Sequence, residues 1–322
     1  MNFYKDILKI DCEGEVNRIC SFIQQQVASM RRDGIVVGLS GGVDSALAAA
    51  LCVKALGMEK VYGLILPEKE SNPVSAEYAK KHAEQLGITT ETIDITHILE
   101  EFGTYDKRDK IIREIFPEYD NSYKLKITLP ADLLSKDAFN FFTLKIENDN
   151  GNEKSARLKK DALNGIVAAT DTKQRTRMMH LYYYAEMKNY LVCGTTNKSE
   201  VMQGFFVKYG DGGVDIEPLA HLYKTQVYQL SEHLDVIKEI IDRAPSPDTF
   251  SFQVSDEEFY FRIPYDKLDL LLYAWENKSV VSEVCEIMDL KKEQVKRAFR
   301  DFSSKYNATK HLRELPPMLN QQ

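Results

Sequence analysis

An α/β fold, a parallel sheet with helices on both faces, is predicted by three features of the chain. Short β-branched runs alternate with helical patterns, glycine or proline closes most of these segments, and a glycine-rich turn follows the first run directly. After a short helical leader, Ile35-Val36-Val37-Gly38-Leu39 reads as the first strand, and the Ala/Leu-rich pattern from Val43 reads as a helix that Gly57 terminates. Val61-Tyr62-Gly63-Leu64-Ile65-Leu66 reads as a buried strand stopped by Pro67, residues 75–86 as a helix closed by Gly87, and residues 90–95 as a third strand. Tyr190-Leu191-Val192-Cys193-Gly194 is expected in the same sheet, after a helix beginning near Arg175. In such a sheet, ligands bind beyond the carboxyl ends of the strands.

Two segments depart from this alternation. Across residues 117–160, Leu125, Ile127 and Leu129 alternate with polar residues, as do Phe142, Leu144 and Ile146, before the turn-prone Asn148-Asp149-Asn150-Gly151. This predicts a β insertion of hairpin type, serving as a surface excursion or oligomer contact rather than a substrate lid. From Tyr265 the apolar spacing is helical, giving a division into a main α/β domain, 1–260, and a small helical lobe, 261–322. Residues 279–302 resemble a helix-turn-helix with Met288-Asp289-Leu290 at its turn. The helix carrying His180, Tyr182, Tyr183 and Tyr184 is expected in the core or at a dimer contact.

The 322 residues carry 42 Lys+Arg against 49 Asp+Glu, a net charge of −7, which argues against general nucleic-acid binding. From Lys278 to Arg313 nine Lys/Arg face five Asp/Glu, so DNA binding by the C-terminal helices is an alternative of another class. Five scattered cysteines, with no C-x-x-C, suggest neither a disulfide framework nor a zinc site. Without a signal-peptide pattern at Met1 or an apolar run of bilayer length, a cytoplasmic location without membrane association is expected.

Ser40-Gly41-Gly42-Val43-Asp44-Ser45 has the chemistry of a phosphate cradle. Its two glycines let the backbone turn and approach a ligand, and the helix that follows presents unpaired N–H groups. No Gly-Lys-Ser/Thr follows, so the cation comes from elsewhere in the chain, and Asp44 makes sense beside phosphate chiefly as a ligand of a divalent ion. Glu200, after a strand end, could join Asp44 around one Mg2+, but taken alone it reads as a helix-surface acid. Read alone, Lys224 is an ordinary helical lysine facing solvent, and the residues by themselves do not say which cation serves the turn.

The turn resembles the signature of the N-type ATP pyrophosphatases. Within that group, Arg175-Thr176-Arg177-Met178, Gly194-Thr195-Thr196-Asn197-Lys198-Ser199-Glu200, the run from Gly204 through Lys208-Tyr209-Gly210-Asp211-Gly212-Gly213-Val214-Asp215, and Tyr223-Lys224-Thr225-Gln226 closely resemble the ammonia-dependent NAD synthetase family. The resemblance implies an adenine nucleotide alpha hydrolase-like, Rossmann-like fold and an AMP-forming ligase. Such an enzyme uses ATP as co-substrate and Mg2+ to adenylate deamido-NAD, then lets ammonia displace AMP. It implies ATP contacts at Gly38, Ser40, Gly41, Gly42, Val43, Asp44, Ser45, Thr195, Lys224 and Ser246, the last in place of the usual Thr. It also implies Mg2+ on Asp44 and Glu200, catalytic roles for Lys224 and Asp211, and deamido-NAD contacts at Arg175, Lys208, Asp215 and His311.

A homodimer building the dinucleotide site jointly is implied as well. A leader too short for a glutaminase domain implies free ammonia or a separate glutaminase partner. The chain departs from the family pattern at Leu312, where a lysine is usual, at Asp171, where asparagine is usual, and at residues 259–264, where Arg262 is a candidate compensating cation. These departures leave open a paralogous ligase that amidates another carboxylate.

Overall fold

A computed structural model describes residues 3–130, 132–135 and 141–319; Met1 and Asn2 of the leader, with residues 131 and 136–140 of the insertion, lie outside the described residues. The chain runs α1 (Cys12–Ser29), β1 (Gly34–Gly38), α2 (Val43–Leu56), β2 (Val61–Ile65), α3 (Pro73–Leu86), β3 (Thr89–Thr92), α4 (Thr96–Glu101) and α5 (Thr104–Ile115). The insertion contributes β4 (Lys124–Thr128), β5 (Thr143–Glu147) and β6 (Glu153–Arg157). There follow α6 (Lys160–Lys188), β7 (Tyr190–Cys193), α7 (Lys198–Gln203), α8 (Lys224–His233), α9 (Lys238–Ile241), α10 (Tyr265–Glu276), α11 (Val281–Met288), α12 (Lys292–Ala308) and α13 (Lys310–Arg313).

The main sheet has the order β3-β2-β1-β7, parallel throughout, with Ile35 beside both Val61 and Leu191. Alternate residues of β1 serve two cores. Ile35 and Val37 pack with α1, α2, α3 and α8, whereas Val36 packs with Ile95, Leu99 and Ala185 from the α4 and α6 side. Burial on both faces explains the unbroken β-branched run. Because β2 and β7 lie on opposite sides of β1, the sheet's switch point falls at the end of β1, directly before the glycine turn.

Three expectations need correction. The helix expected from about Arg175 begins at Lys160; Asn164, Gly165 and Thr170-Asp171-Thr172 depress the helix signal there, and burial of Ile166, Ala169 and Lys173 outweighs them. The third strand ends at Thr92, after which only Ile93 N and Ile95 N continue bonding, to Ile65 O and Pro67 O. The insertion is an antiparallel sheet of order β4-β5-β6, not a single hairpin, and it is not merely superficial. Its Leu125, Ile127, Leu144 and Ile146 are buried against α5, the start of α6, Phe250 and Val254. Strand β6, Glu-Lys-Ser-Ala-Arg, is an exposed edge with no apolar pattern to announce it.

The C-terminal helices pack around Leu268, Leu271, Leu272, Val284, Val295 and Phe302, and Phe3, Leu8, Met202 and Tyr223 complete that core. Helices α11 and α12 meet at Asp289, in the left-handed region at φ 52°, at the turn the sequence marks. Among the described residues no helix is long and apolar enough to cross a membrane.

Candidate active site

A cavity of about 640 Å3 opens at the carboxyl end of the main sheet. The glycine turn forms one side. Gly41 has φ +75°, and a Cβ there would stand 2.2 Å from Ser75 O, so this close approach requires glycine. Ser45 Oγ donates to Gly42 O at 3.0 Å and accepts from Ser40 N at 3.2 Å, knitting the turn together. Gly42 provides no side-chain cap, which leaves the first N–H groups of α2 available to an anion.

The starts of α7 and α8 converge on Asp44 at the start of α2. Asn197 Nδ2 donates to its Oδ1 at 3.0 Å, and Lys224 Nζ donates to its Oδ2 in a short ion pair. Lys224 Nζ also lies 3.9 Å from Glu200 Oε1. Glu200 is oriented by a capping box with Asn197, each backbone N–H donating to the other's side chain at 3.1 Å. Lys224 is 2 % exposed. Burial opposes its charge, but Asp44 and Glu200 outweigh burial and raise its pKa. Burial and the neighbouring Asp44 push the Glu200 carboxyl well up.

Sequence reasoning missed two residues here because both come from beyond the recognised motifs. Asp256 is buried, accepts from Tyr265 Oη at 2.9 Å and exerts its charge on Lys224. Asp269 of α10 accepts from Ser199 Oγ at 2.6 Å and Thr225 N at 2.7 Å, tying the starts of α7 and α8 together. In sequence, Ser255-Asp256-Glu257-Glu258 looks only like an acidic helix start.

Asp44 and Glu200 offer two carboxylates, which suits Mg2+, an ion that takes one or two carboxylates and fills its shell from phosphate and water. Among the described residues no group of three or more His, Cys, Asp or Glu is arranged to hold a metal alone.

Gly38, Ser40, Gly42, Val43, Ser45, Thr195, Ser246, Arg175, Lys208 and Asp211 also line the cavity. Asp211 accepts from Val207 N at 2.9 Å, and burial pushes its carboxyl up to about 6. Arg175 NH2 lies 3.8 Å from Asp171, and Lys208 Nζ donates to His311 O at 2.7 Å and Glu314 O at 3.1 Å. The structure does not bring Asp215 or His311 into the cavity. Asp215 accepts from Val192 N at 2.8 Å and Tyr182 Oη at 3.2 Å at the exposed sheet margin, while His311 points outward and Leu312 lines the cavity. Arg262 is no compensating cation: it is 1 % exposed, with Nε donating to Pro130 O at 2.7 Å.

Beneath the site, Glu217 accepts from Thr196 N at 3.2 Å, and a Cβ on Gly194 would meet its carboxylate at 2.3 Å. Burial raises Glu217 to about 8. A carboxyl raised on folding contributes stability that is full below its unfolded pKa of 4.5 and lost as pH rises through about 8. Glu217→Gln keeps an acceptor for Thr196 N, so it is expected to flatten the pH dependence of the melting temperature across that window and to raise it by a few degrees at alkaline pH. Calorimetry from acid to alkaline pH measures this, and parallel curves for variant and parent would contradict it.

A parallel sheet sheathed in helices, with a glycine turn and helix start at its switch point, defines the adenine nucleotide alpha hydrolase-like class. The chain belongs to the NAD synthase family, whose model matches residues 15–118 and 140–316. It is 42 % identical over 319 residues to an NH3-dependent NAD+ synthetase of Rhizobium meliloti (strain 1021), covering 99 % of this chain and 95 % of the relative. An NH3-dependent NAD+ synthetase of Methanocaldococcus jannaschii is 36 % identical, covering 94 % and 95 %. The solved structure of an NMN synthetase from Francisella tularensis superposes with a TM-score of 0.67 at 26 % identity, covering 97 % of this chain and all of the other.

Proposed function

We propose that this enzyme amidates deamido-NAD to NAD, using ATP and ammonia and releasing AMP and pyrophosphate. The observation that carries the reading is the Asp44–Lys224–Glu200 cluster at the glycine turn, in a chain of this family. A carboxylate resists attack by ammonia, so it is first joined to AMP as a mixed anhydride, and ammonia then displaces AMP. The turn at 40–45 and the start of α2 grip the departing pyrophosphate, with Thr195 and Ser246 as further ATP contacts. Lys224 stabilises charge developing on that leaving group. Asp44 and Glu200 would hold Mg2+, which supplies further charge neutralisation on the phosphates. Asp211, ionised above about pH 6, is suited to accept hydrogen bonds from incoming ammonia. Arg175 and Lys208 hold the dinucleotide from the cavity wall.

We assign Asp215 and His311 to a dinucleotide site completed by a second subunit, in a homodimer. The exposed Met179, Tyr183 and Met187, at helical spacing along α6, support such a contact. The five cysteines are free, as suits a reducing cytoplasm. Ammonia is taken free or from a separate glutaminase.

The test combines the protein with ATP, Mg2+, ammonium and deamido-NAD, and assays NAD, AMP and pyrophosphate with each component omitted in turn. All three products in equal amounts are expected. Leu312 on the cavity wall, and the likeness to an NMN synthetase, favour one alternative arm: the mononucleotide acid in place of the dinucleotide. Turnover of that acid alone would shift the substrate while keeping the adenylation chemistry.

A further inference from the structure

We propose that the inserted sheet is part of the active site, and that Phe142, backed by Ile127, is a specificity-determining residue that packs against the aromatic ring of the carboxylate substrate. The inference rests on the amidation reading above.

The family match stops at residue 118 and resumes at 140, so β4 lies outside the matched frame. It nevertheless runs alongside residues 251–258. Phe252 N donates to Leu125 O at 3.0 Å, Leu125 N to Ser251 Oγ at 3.0 Å, and Leu129 N to Glu258 O at 3.1 Å. Lys126, 8 % exposed, donates to Gln253 O at 3.3 Å and pairs with Glu258 at 3.0 Å. The stretch so held contributes Asp256 to the cavity, and its flanks contribute Thr249, Phe259 and Tyr260.

Phe259 joins four rings: Phe142 at 6.3 Å, Phe205 at 5.8 Å, Phe250 at 5.6 Å and Tyr260 at 6.5 Å between centroids. Phe205 in turn stacks on Tyr260 at 4.9 Å. Ile127, Phe142, Phe205, Phe259 and Tyr260 all line the cavity. One apolar wall therefore extends from the insertion to Phe205, which opens the stretch carrying Lys208 and Asp211.

The wall's chemistry selects its ligand. It carries no charge, and its one hydroxyl, Tyr260 Oη, is engaged by Gln203 O at 2.7 Å. It has nothing to offer a phosphate, but much flat surface to offer a planar ring. A second apolar strip, Leu64, Leu66 and Pro67, lies at the end of β2, where Leu39 N donates to Leu64 O at 2.8 Å immediately before the glycine turn. That strip suits the adenine of an ATP whose phosphates sit on the turn. The aromatic wall is left for the ring of the acid.

The test is steady-state kinetics on the full chain, varying deamido-NAD and ATP separately, for wild type, Phe142→Ala, Phe142→Leu and Ile127→Val. Phe142 is partly exposed and packs at the margin of the insertion's buried cluster; Phe142→Leu retains bulk without the ring, and melting temperatures check that each variant is folded. Phe142→Ala is expected to raise KM for deamido-NAD about tenfold while KM for ATP stays within about twofold, with the other two variants intermediate. A rise in KM for ATP of similar size, or no change in either constant, overturns the proposal. A wild type that makes no NAD from deamido-NAD sinks the amidation reading and the wall together; a working wild type beside a Phe142→Ala variant with the wrong split sinks the wall alone.

Discussion

Lys224→Ala is expected to lower turnover by about 10²–10³-fold, read as pyrophosphate release at saturating ATP. The size follows from where the ammonium sits. Lys224 is at the start of α8 with almost no exposure, facing Asp44, Glu200 and Asp256, and those carboxylates keep it charged despite burial. A fixed cation in a water-poor site needs no reorganisation as charge moves onto the leaving group. Its removal also leaves buried carboxylates without their counter-ion, so the urea midpoint is expected to fall by the equivalent of about 3–5 kcal/mol. Turnover is therefore compared well below each variant's melting temperature. Lys224→Arg retains charge but replaces a compact donor with a broad planar one, so it should recover stability more fully than rate. Turnover of Lys224→Ala within about tenfold of wild type would remove this lysine from the leaving-group role.

What the sequence made legible follows from how locally each feature is encoded. Strands β1 and β2 are buried on both faces and so read as unbroken apolar runs; α3 carries its stop signal in Gly87, left-handed at φ +68°. The turn at 40–45 was legible because strand, glycines, acid and helix are contiguous. Where the encoding is distributed, the reading thinned. Strand β6 owes its place to backbone pairing with β5, from Thr143 beside Arg157 to Glu147 beside Glu153, and has no apolar face of its own. The first half of α6 is held by tertiary burial against poor local propensity. Asp256 and Asp269 reach the site from the far end of the chain.

The same logic explains the candidate residues. Lys224 taken alone reads as a surface lysine, and only the family resemblance points to it from the sequence; the fold supplies its partner, Asp44. Asp215 and His311 carry family roles by motif, yet one is drawn to Val192 N and the other faces outward, so neither lines the cavity that Asp44 and Lys224 line. The shared site we propose between subunits would reconcile the motif with this geometry. The insertion, expected at the surface because long insertions are tolerated there, packs against the very segment that brings Asp256 to Lys224.

Asp44→Asn is expected to lower turnover by about 10²-fold or more, comparable to the lysine variant but with a different signature. Asparagine keeps the shape of the side chain and an oxygen for Asn197 Nδ2, now 3.0 Å from Asp44 Oδ1, so the turn should survive; the melting temperature should fall because buried Lys224 loses a counter-ion, but by less than in Lys224→Ala because Glu200 remains. The charge is what disappears. Lys224 loses its nearest partner and retains Glu200 at 3.9 Å, while the Glu200 carboxyl loses the neighbouring anion that helps push it up and ionises more readily. One of the two carboxylates suited to Mg2+ is also gone, so the Mg2+ concentration for half-maximal rate should rise by about tenfold or more. In Lys224→Ala both carboxylates remain, and that concentration should not rise. A Mg2+ titration of all three proteins at saturating ATP, paired with the melting-temperature increase produced by Mg2+ and ATP together, separates the two roles. An Asp44→Asn enzyme with the wild-type Mg2+ requirement would leave Asp44 as the electrostatic partner of Lys224 and move the metal's ligands elsewhere in the cavity.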